Sequence, residues 1–267
     1  MVHAETHRLL LRIHYDGSGF HGWQVQPGVR TVQGDLERTL ERISGAHRTV
    51  LASGRTDTGV HASGQVATVD LPASWTPHRL RRALNGLLED DVWIESVEPV
   101  PPGFHPRYDA VARTYRYQVG LRPVAESPFH RRWCWPLGEE LDLDLMARTG
   151  EKVVGDHSFR AFAKAGQEER GDRCAVHAAA WTPWEELGVA FTITANRYLH
   201  HMVRYLVGTL VDVGRGRRPA GDVEGLLLGS DPGLTTSPPA PPEGLFLARV
   251  DYPDSAFTPE PLEPPDA

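Results

Sequence analysis

The sequence contains only two cysteines, Cys134 and Cys174, which lie far apart in a chain of 267 residues. It also lacks any apolar run that approaches the roughly 18 residues of a membrane-spanning helix. The N-terminal segment MVHAETHRLLLRIHY mixes polar with apolar residues and has no small-residue cleavage site, so it does not resemble a secretory signal. These absences argue against a disulfide-rich secreted domain, and they predict reduced thiols, a cytoplasmic location and no membrane partner.

Lysine is almost absent, since Lys152 and Lys164 are the only two and the other 26 basic residues are arginine. The formal net charge is −7, but the last 15 residues hold four acids and no base, which leaves −3 for residues 1–252. Two segments are locally basic: 107–132 has six arginines against two acids, and 197–218 has five against one. Arginine suits bidentate phosphate recognition, but a genomic preference for arginine explains the composition equally well. The charge distribution is compatible with an RNA partner and does not require one.

Several motifs of cofactor and RNA binding are also missing. The glycine-rich segment YDGSGFHGWQVQ (15–26) lacks the Lys-Ser/Thr of a phosphate loop and the spacing of a dinucleotide fingerprint. Two interpretations are open for its larger side chains, which either contact unpaired bases or pack against their own domain. These side chains are Phe20, His21, Trp23 and Gln24. An RNA-binding module without catalysis is one possible function of the chain. The sequence has no aromatic RNP signature, however, which weakens this interpretation.

The hydrophobic periodicity predicts the element order β-α-β-β-α-β twice along the chain. In the first half it predicts strands at 7–15, 47–52, 64–71 and 91–99, and helices that begin at Val32 and Pro77, the second with an apolar face that extends to Leu87 and Leu88. Thr31 is a predicted N-cap, Gly45 a predicted helix end, and Thr76-Pro77 a predicted helix start. In the second half it predicts strands at 113–120, 173–181, 188–195 and 244–252, and helices around 141–155, 196–214 and 222–228.

This order is the ferredoxin-like pattern. Two such halves predict an α+β protein whose sheets join into one largely antiparallel sheet, with helices on one face and a central active-site cleft. The predicted boundaries are 1–105 for an N-terminal half that contains the candidate catalytic loop at 52–63, 106–253 for a C-terminal half, and 254–267 for an acidic, proline-rich tail without fixed structure. A proline-rich connection is predicted at 231–243.

The segment ASGRTDTGVHAS (52–63) surrounds one carboxylate, Asp57, with turn-forming residues and places Arg55 two positions before it. Its glycines permit unusual backbone angles, and the threonines beside Asp57 can tie the turn by local hydrogen bonds. A neighbouring guanidinium, from Arg55 or from the second half, would keep the aspartate ionised and nucleophilic. A salt-bridged surface turn is the competing interpretation, and the local residues alone favour it.

The segment NRYLHHMVR (196–204) is predicted to lie on the long helix of the second half, with Arg197, His201 and Arg204 on one polar stripe. Arg204 then reaches a carboxylate or phosphate in the cleft, or it lies on a solvated helix face. The adjacent His200 and His201 suggest a metal ligand pair. Neighbouring side chains on a helix point about 100° apart, however, and no H-E-x-x-H motif supplies further ligands. The sequence therefore predicts no metal site.

Six segments occur in one order along the chain: YDGSGFHGWQVQ, TVQGDLE, GRTDTGVHA, FHPRYDAVARTYRY, NRYLHHMVR and GLFLARVDYP. Together they closely resemble the tRNA pseudouridine synthase A family, and the resemblance runs from Ile13 to Pro253. Two positions depart from the family pattern. Thr58 stands where alanine is usual, and Tyr198 where phenylalanine is usual. Thr58 is able to alter the hydrogen bonding beside the aspartate.

The resemblance implies that Asp57 is the catalytic aspartate, that Tyr115 stacks against the target base, and that Arg204 pairs with the carboxylate, with Arg55 as a further basic residue of the site. From the strand pattern alone, Tyr115 and Tyr117 are half-buried strand residues. The family resemblance also implies a homodimer that isomerises uridines 38, 39 and 40 in the anticodon arm of tRNA, without metal or cofactor.

That reaction breaks a C–N glycosidic bond, turns the uracil and joins its C5 to the ribose, so no group or electron enters from outside. A carboxylate can add to the ribose C1′ or the uracil C6, or it can stabilise an oxocarbenium-like sugar. The sequence leaves these routes open. Two other functions compete: an RNA-binding module without catalysis, and a nucleosidase or glycosidase, which usually needs two carboxylates.

Overall fold

The computed structural model describes residues 6–164 and 171–258. The strands in this part of the chain are β1 (Thr6–Tyr15), β2 (Leu51–Ala52), β3 (His61–Pro72), β4 (Val92–Val100), β5 (Ala112–Gly120), β6 (Trp135–Pro136), β7 (Gly155–Ser158), β8 (Arg173–Trp184), β9 (Gly188–Ala195) and β10 (Leu245–Asp251). The α-helices are α1 (Val32–Ser44), α2 (Pro77–Asn85), α3 (Leu143–Glu151), α4 (Met202–Gly214) and α5 (Gly221–Leu228).

The helices of the first half begin where the capping residues predict. The Thr31 hydroxyl accepts a hydrogen bond from the Gly34 amide at the start of α1, and Gly45 ends the helix at φ 75°, a left-handed angle that suits glycine. Thr76 caps α2 in the same way, and Pro77 occupies its first turn. These predicted caps are confirmed, because each depends on residues only a few positions apart.

Two predicted helices are too long. Helix α2 ends at Asn85, so Leu87 and Leu88 lie beyond it rather than on its apolar face. Helix α4 begins at Met202, because His201 before it has a left-handed backbone (φ 65°, ψ 5°) that an α-helix cannot contain. The predicted polar stripe of Arg197, His201 and Arg204 on one helix is therefore wrong.

The two halves of the sheet repeat one arrangement. In the first half β1 lies between β4 and β3, and β2 pairs with β3; in the second half β5 lies between β10 and β9, followed by β8 and β7. These neighbours within each half are antiparallel. The halves join through β3 and β10, which run parallel where Phe246 pairs with His61 and Leu247 with Ala62. The predicted α+β class, with two ferredoxin-like halves in one largely antiparallel sheet, is confirmed.

Each half has its own hydrophobic core. The first is built around Leu9, Leu11 and Leu36, and the second around Phe191 and Leu210. Tyr115 on β5 is the partly buried residue that packs against both. The junction of the two halves is thus also the place where the predicted base-stacking residue lies.

The start of the predicted unstructured tail is ordered. Residues Asp254–Phe257 form a 3₁₀ turn, and the Phe257 ring stacks on Phe104 with centroids 5.6 Å apart. The prediction of no fixed structure is therefore wrong for 254–258, because an aromatic side chain finds a partner in the first half. The rest of the tail lies outside the described residues.

Both cysteines are buried and unpaired. Burial raises the pKa of each thiol to about 11, which keeps both protonated and unreactive at neutral pH. Among the helices of the described ranges, none combines the length and the apolar character needed to cross a membrane.

Candidate active site

Residues 53–60, the Asp57 loop, connect β2 to β3 and are fixed at their start by Gln65 on β3. The buried Ser53 hydroxyl donates to Gln65 Oε1 (2.8 Å), and Gln65 Nε2 donates back to the Gly54 carbonyl (2.9 Å). The Ser53 amide also donates to the Val66 carbonyl (2.8 Å). These bonds hold the loop against the strand that follows it, and Gln65 is fully buried.

The middle of the loop is tied to β1. The Thr56 hydroxyl and the Tyr15 hydroxyl lie 2.7 Å apart in a buried hydrogen bond, and the Thr56 carbonyl accepts from the Trp23 amide (3.0 Å). Burial raises the pKa of Tyr15 to about 12, so its phenol keeps its proton. Thr56, the residue before Asp57, is therefore held in place through both its side chain and its backbone.

The glycine-rich segment 15–26 packs against the same loop. A Cβ on Gly17 would lie 2.1 Å from the Val60 carbonyl oxygen, and one on Gly22 would lie 2.7 Å from the Thr56 carbonyl oxygen. Phe20 and Trp23 are each only 2% exposed. Of the two interpretations of this segment, packing accounts for Phe20 and Trp23, and its glycines allow two backbones to approach closely.

Asp57 faces two imidazoles from the other half of the chain. Its Oδ1 lies 3.2 Å from His200 Nε2, and its Oδ2 lies 3.3 Å from His201 Nε2. The Asp57 side chain is 27% exposed, so one edge stays open to solvent. The residues of the second half that face Asp57 are thus an imidazole pair and not the guanidinium that the sequence predicted.

Sequence reasoning missed these partners because it placed both histidines on a helix. The segment 199–201 precedes α4, and the left-handed backbone of His201 turns its side chain toward Asp57. A non-glycine residue in this region costs of order 1–3 kcal/mol and occurs mostly where the surrounding structure requires it. The adjacent His-His pair in NRYLHHMVR was the one available signal.

Burial lowers the pKa of His201 below its ordinary value. The negative charge of Asp57 opposes this effect, while His200, Arg204 and Lys164 add to it. The imidazole of His201 is therefore neutral at neutral pH.

Arg204 lies close to this cluster without pairing with Asp57. Its Nε donates to the Ala240 carbonyl (2.7 Å), and the Ala240 amide donates to the Arg204 carbonyl (2.9 Å). Across the described ranges, its terminal guanidinium nitrogens have no hydrogen-bond partner. The predicted ion pair between Asp57 and Arg204 is absent from this structure, because the proline-rich segment before β10 engages Arg204 and the imidazoles occupy the carboxylate oxygens.

Arg55 is exposed at the rim of the Asp57 loop. Within residues 6–164 and 171–258 it forms no ion pair or hydrogen bond, so it does not act as the counter-ion of Asp57 that the sequence suggested. Thr58, the departure from the family pattern, is also exposed and makes no side-chain hydrogen bond in the described chain.

Tyr115 lies beside the cluster, half-buried between the two cores. Burial raises the pKa of its phenol well above the ordinary value, and the neighbouring Tyr15 and Asp57 raise it further. Its ring meets the Tyr198 ring edge-on, with centroids 4.8 Å apart. The Tyr198 hydroxyl, absent from the phenylalanine of the family pattern, lies 2.8 Å from the Ile193 carbonyl and 3.0 Å from that of Arg113. It anchors the ring that supports Tyr115.

The fold and the site together define an α+β protein with an aspartate presented where two ferredoxin-like halves meet. The sequence matches the family described as tRNA pseudouridine synthase over residues 12–109 and 151–253. The chain therefore belongs to the tRNA pseudouridine synthase family, and the predicted resemblance is confirmed.

Individual relatives agree with this assignment. The tRNA pseudouridine synthase A of Listeria monocytogenes is 38% identical over 241 residues, which cover 90% of this chain and 97% of the relative. That of Shouchella clausii is 39% identical over 254 residues, covering 95% and 96%. A dye-decolorizing protein from V. cholerae superposes with a TM-score of only 0.19 at 12% identity, over 80% and 87% of the two chains, which is too low to indicate a shared fold. The protein is thus an isomerase whose substrate is tRNA.

Proposed function

We propose that this enzyme isomerises uridines 38, 39 and 40 in the anticodon stem-loop of tRNA, with Asp57 as the nucleophile toward a flipped-out nucleotide. The observation that carries the proposal is the position of Asp57. The carboxylate stands on a loop fixed by buried hydrogen bonds, partly open to solvent, at the junction of the two halves. Fixing a reacting group in one orientation is a large part of catalysis.

His200 and His201 support this role by holding the carboxylate. Each presents Nε2 to one oxygen of Asp57 at 3.2 and 3.3 Å. An N–H donor at each oxygen would leave the remaining lone pairs free to attack ribose C1′ or uracil C6. The two routes differ in the atom attacked and not in the residue that attacks.

Tyr115 is the proposed platform for the extruded base. Flipping a nucleotide out of a stem costs a few kcal/mol, and stacking on an aromatic ring returns part of this energy. The ring is held by Tyr198, and the raised pKa keeps its phenol neutral beside a carboxylate. A phenolate there would repel Asp57.

Arg204 and Arg55 are proposed to act on the RNA rather than on Asp57. Arg204 has two terminal nitrogens without a hydrogen-bond partner among the described residues, and Arg55 is exposed two residues from the carboxylate. Both are suited to phosphate oxygens. The functional unit is proposed to be a homodimer that grips the anticodon arm by its shape.

Replacing Asp57 by asparagine tests the assignment. The amide keeps the size of the side chain but is not a nucleophile, so we expect pseudouridine formation to fall by several orders of magnitude while tRNA affinity changes little. Chemical mapping of pseudouridine at positions 38, 39 and 40 measures the first effect, and filter binding the second. Asp90→Asn, an exposed acid without an ion pair in the described chain, is the matched control. Activity of Asp57→Asn near that of the control contradicts the proposal, and release of free uracil by the wild type indicates a nucleosidase instead.

A further inference from the structure

Three side chains that bind transition metals converge at the carboxylate of Asp57. In the described part of the chain, Asp57, His200 and His201 form the group of His, Cys or acidic residues whose ligand atoms all lie within 4.8 Å of one another. The prediction of no metal site required both histidines to lie on a helix and to point apart. Since α4 begins only at Met202, that premise does not hold.

The distances suit a small tetrahedral ion. With metal–ligand bonds of about 2.0–2.1 Å, two ligand atoms of a tetrahedral zinc site lie about 3.3 Å apart. The two separations between carboxylate oxygens and imidazole nitrogens are 3.2 and 3.3 Å. The imidazole rings are already adjacent, with centroids 4.2 Å apart. The two short separations end on different oxygens of Asp57, whereas one ligand atom from each residue lies within 4.8 Å of the others. Side-chain rotation must therefore bring both imidazole nitrogens to about 3.3 Å from one oxygen and from each other.

We propose that Asp57, His200 and His201 form a binding site for a divalent transition metal of the Zn²⁺ type, and that the bound ion inhibits the enzyme. Two imidazoles and one carboxylate favour Zn²⁺, Co²⁺ or Ni²⁺ over Mg²⁺, which prefers oxygen ligands and retains its waters. The site therefore discriminates against the Mg²⁺ that accompanies tRNA. The half-buried cluster leaves the fourth position to water.

Inhibition follows from the ligand that the metal takes. An ion held by Asp57 engages the oxygen lone pairs proposed to attack the nucleotide and places positive charge on them. This half of the inference rests on the proposed catalytic role of Asp57. Metal binding itself does not, because it needs only the ligand atoms.

Titration of the chelator-treated full-length protein with Co²⁺, without tRNA, measures binding directly through the visible absorption of four-coordinate cobalt. We expect one site that Zn²⁺ competes for and excess Mg²⁺ does not. His200→Gln and His201→Asn should each weaken it at least about tenfold, since the loss of even a supporting residue typically costs 10–100-fold. Asparagine suits the left-handed backbone at position 201. His47→Gln, at an exposed histidine outside the cluster, should bind like the wild type, and circular dichroism checks that each variant is folded.

Pseudouridine formation is then measured with added Zn²⁺, with excess chelator, and with Mg²⁺ alone. We expect reversible inhibition by Zn²⁺ in the wild type and in His47→Gln. Cobalt affinity that is the same in the wild type and both cluster variants overturns the site. Cobalt bound at the cluster with unchanged activity overturns the inhibition. Failure of the proposed function alone is distinguishable, because Asp57→Asn is then active while the wild-type protein still binds cobalt.

Discussion

Gly22→Ala is the sharpest test of how the glycine-rich segment positions the Asp57 loop. Gly22 has φ 85°, and an added Cβ would lie 2.7 Å from the Thr56 carbonyl oxygen and 3.2 Å from the Asp57 carbonyl carbon. Gly28, two residues beyond that segment, offers a matched control, since it has φ 76° and no described residue within 4 Å of an added Cβ. The two substitutions share the backbone penalty and differ in the collision.

The magnitudes follow from these two contributions. Alanine at a left-handed angle costs about 1–2 kcal/mol, and the lost freedom of the unfolded chain offsets about 0.4–1 kcal/mol in both variants. The collision at Gly22 adds about 1–3 kcal/mol, the usual cost of overpacking, because the obstacle is backbone and cannot rotate away. At about 2–4 °C per kcal/mol for a chain near this size, the melting temperature of Gly22→Ala should lie about 2–12 °C below that of Gly28→Ala.

The rate of pseudouridine formation by Gly22→Ala should fall more than the loss of folded protein alone would explain. A shift of about 1 Å in a catalytic group costs roughly 10²-fold in rate, and the atoms displaced belong to Thr56 and Asp57. Thermal unfolding measures the first quantity, and pseudouridine formation at a temperature well below either melting point measures the second. Equal melting temperatures and equal rates in the two variants would show that the segment does not position the loop.

Tyr15→Phe removes the buried hydroxyl that bonds to Thr56 (2.7 Å) and should lower the free energy of unfolding by about 1–3 kcal/mol in urea titrations; an unchanged midpoint and slope contradict this. Burial alone raises the pKa of Asp16, but the adjacent His61 and the hydrogen bonds from Ser18 outweigh burial and hold it well below the ordinary value. The stability that Asp16 contributes is thus complete above about pH 4 and lost as the pH falls. The melting temperature of Asp16→Asn should therefore lie below that of the wild type at pH 7, and the difference should shrink as the pH falls. A difference in melting temperature that stays constant across pH refutes the link between the ionisation of Asp16 and stability. Arg55→Ala should leave the melting temperature unchanged and reduce the salt dependence of tRNA affinity by about one phosphate contact, and an unaltered slope places Arg55 away from the RNA.

Local chemistry made part of this protein predictable from its sequence. The caps of α1 and α2, the succession of helices and strands along each half and the position of Asp57 in a turn all depend on residues close together in the chain. Thr31 and Gly45 set the limits of a helix by bonds to amides and carbonyls within four positions. Recurring apolar residues then determine which face of each element is buried.

Contacts between distant residues decided the rest, and only the tertiary structure supplies them. Asp57 meets His200 and His201 across more than 140 positions of sequence, through a left-handed turn at His201 that no local pattern predicts. Arg204, the expected partner, donates to the Ala240 carbonyl instead. The sequence predicted that the carboxylate of Asp57 lies in a turn, because turn-forming residues act locally. The side chains that face this carboxylate depend on how the two halves of the chain meet.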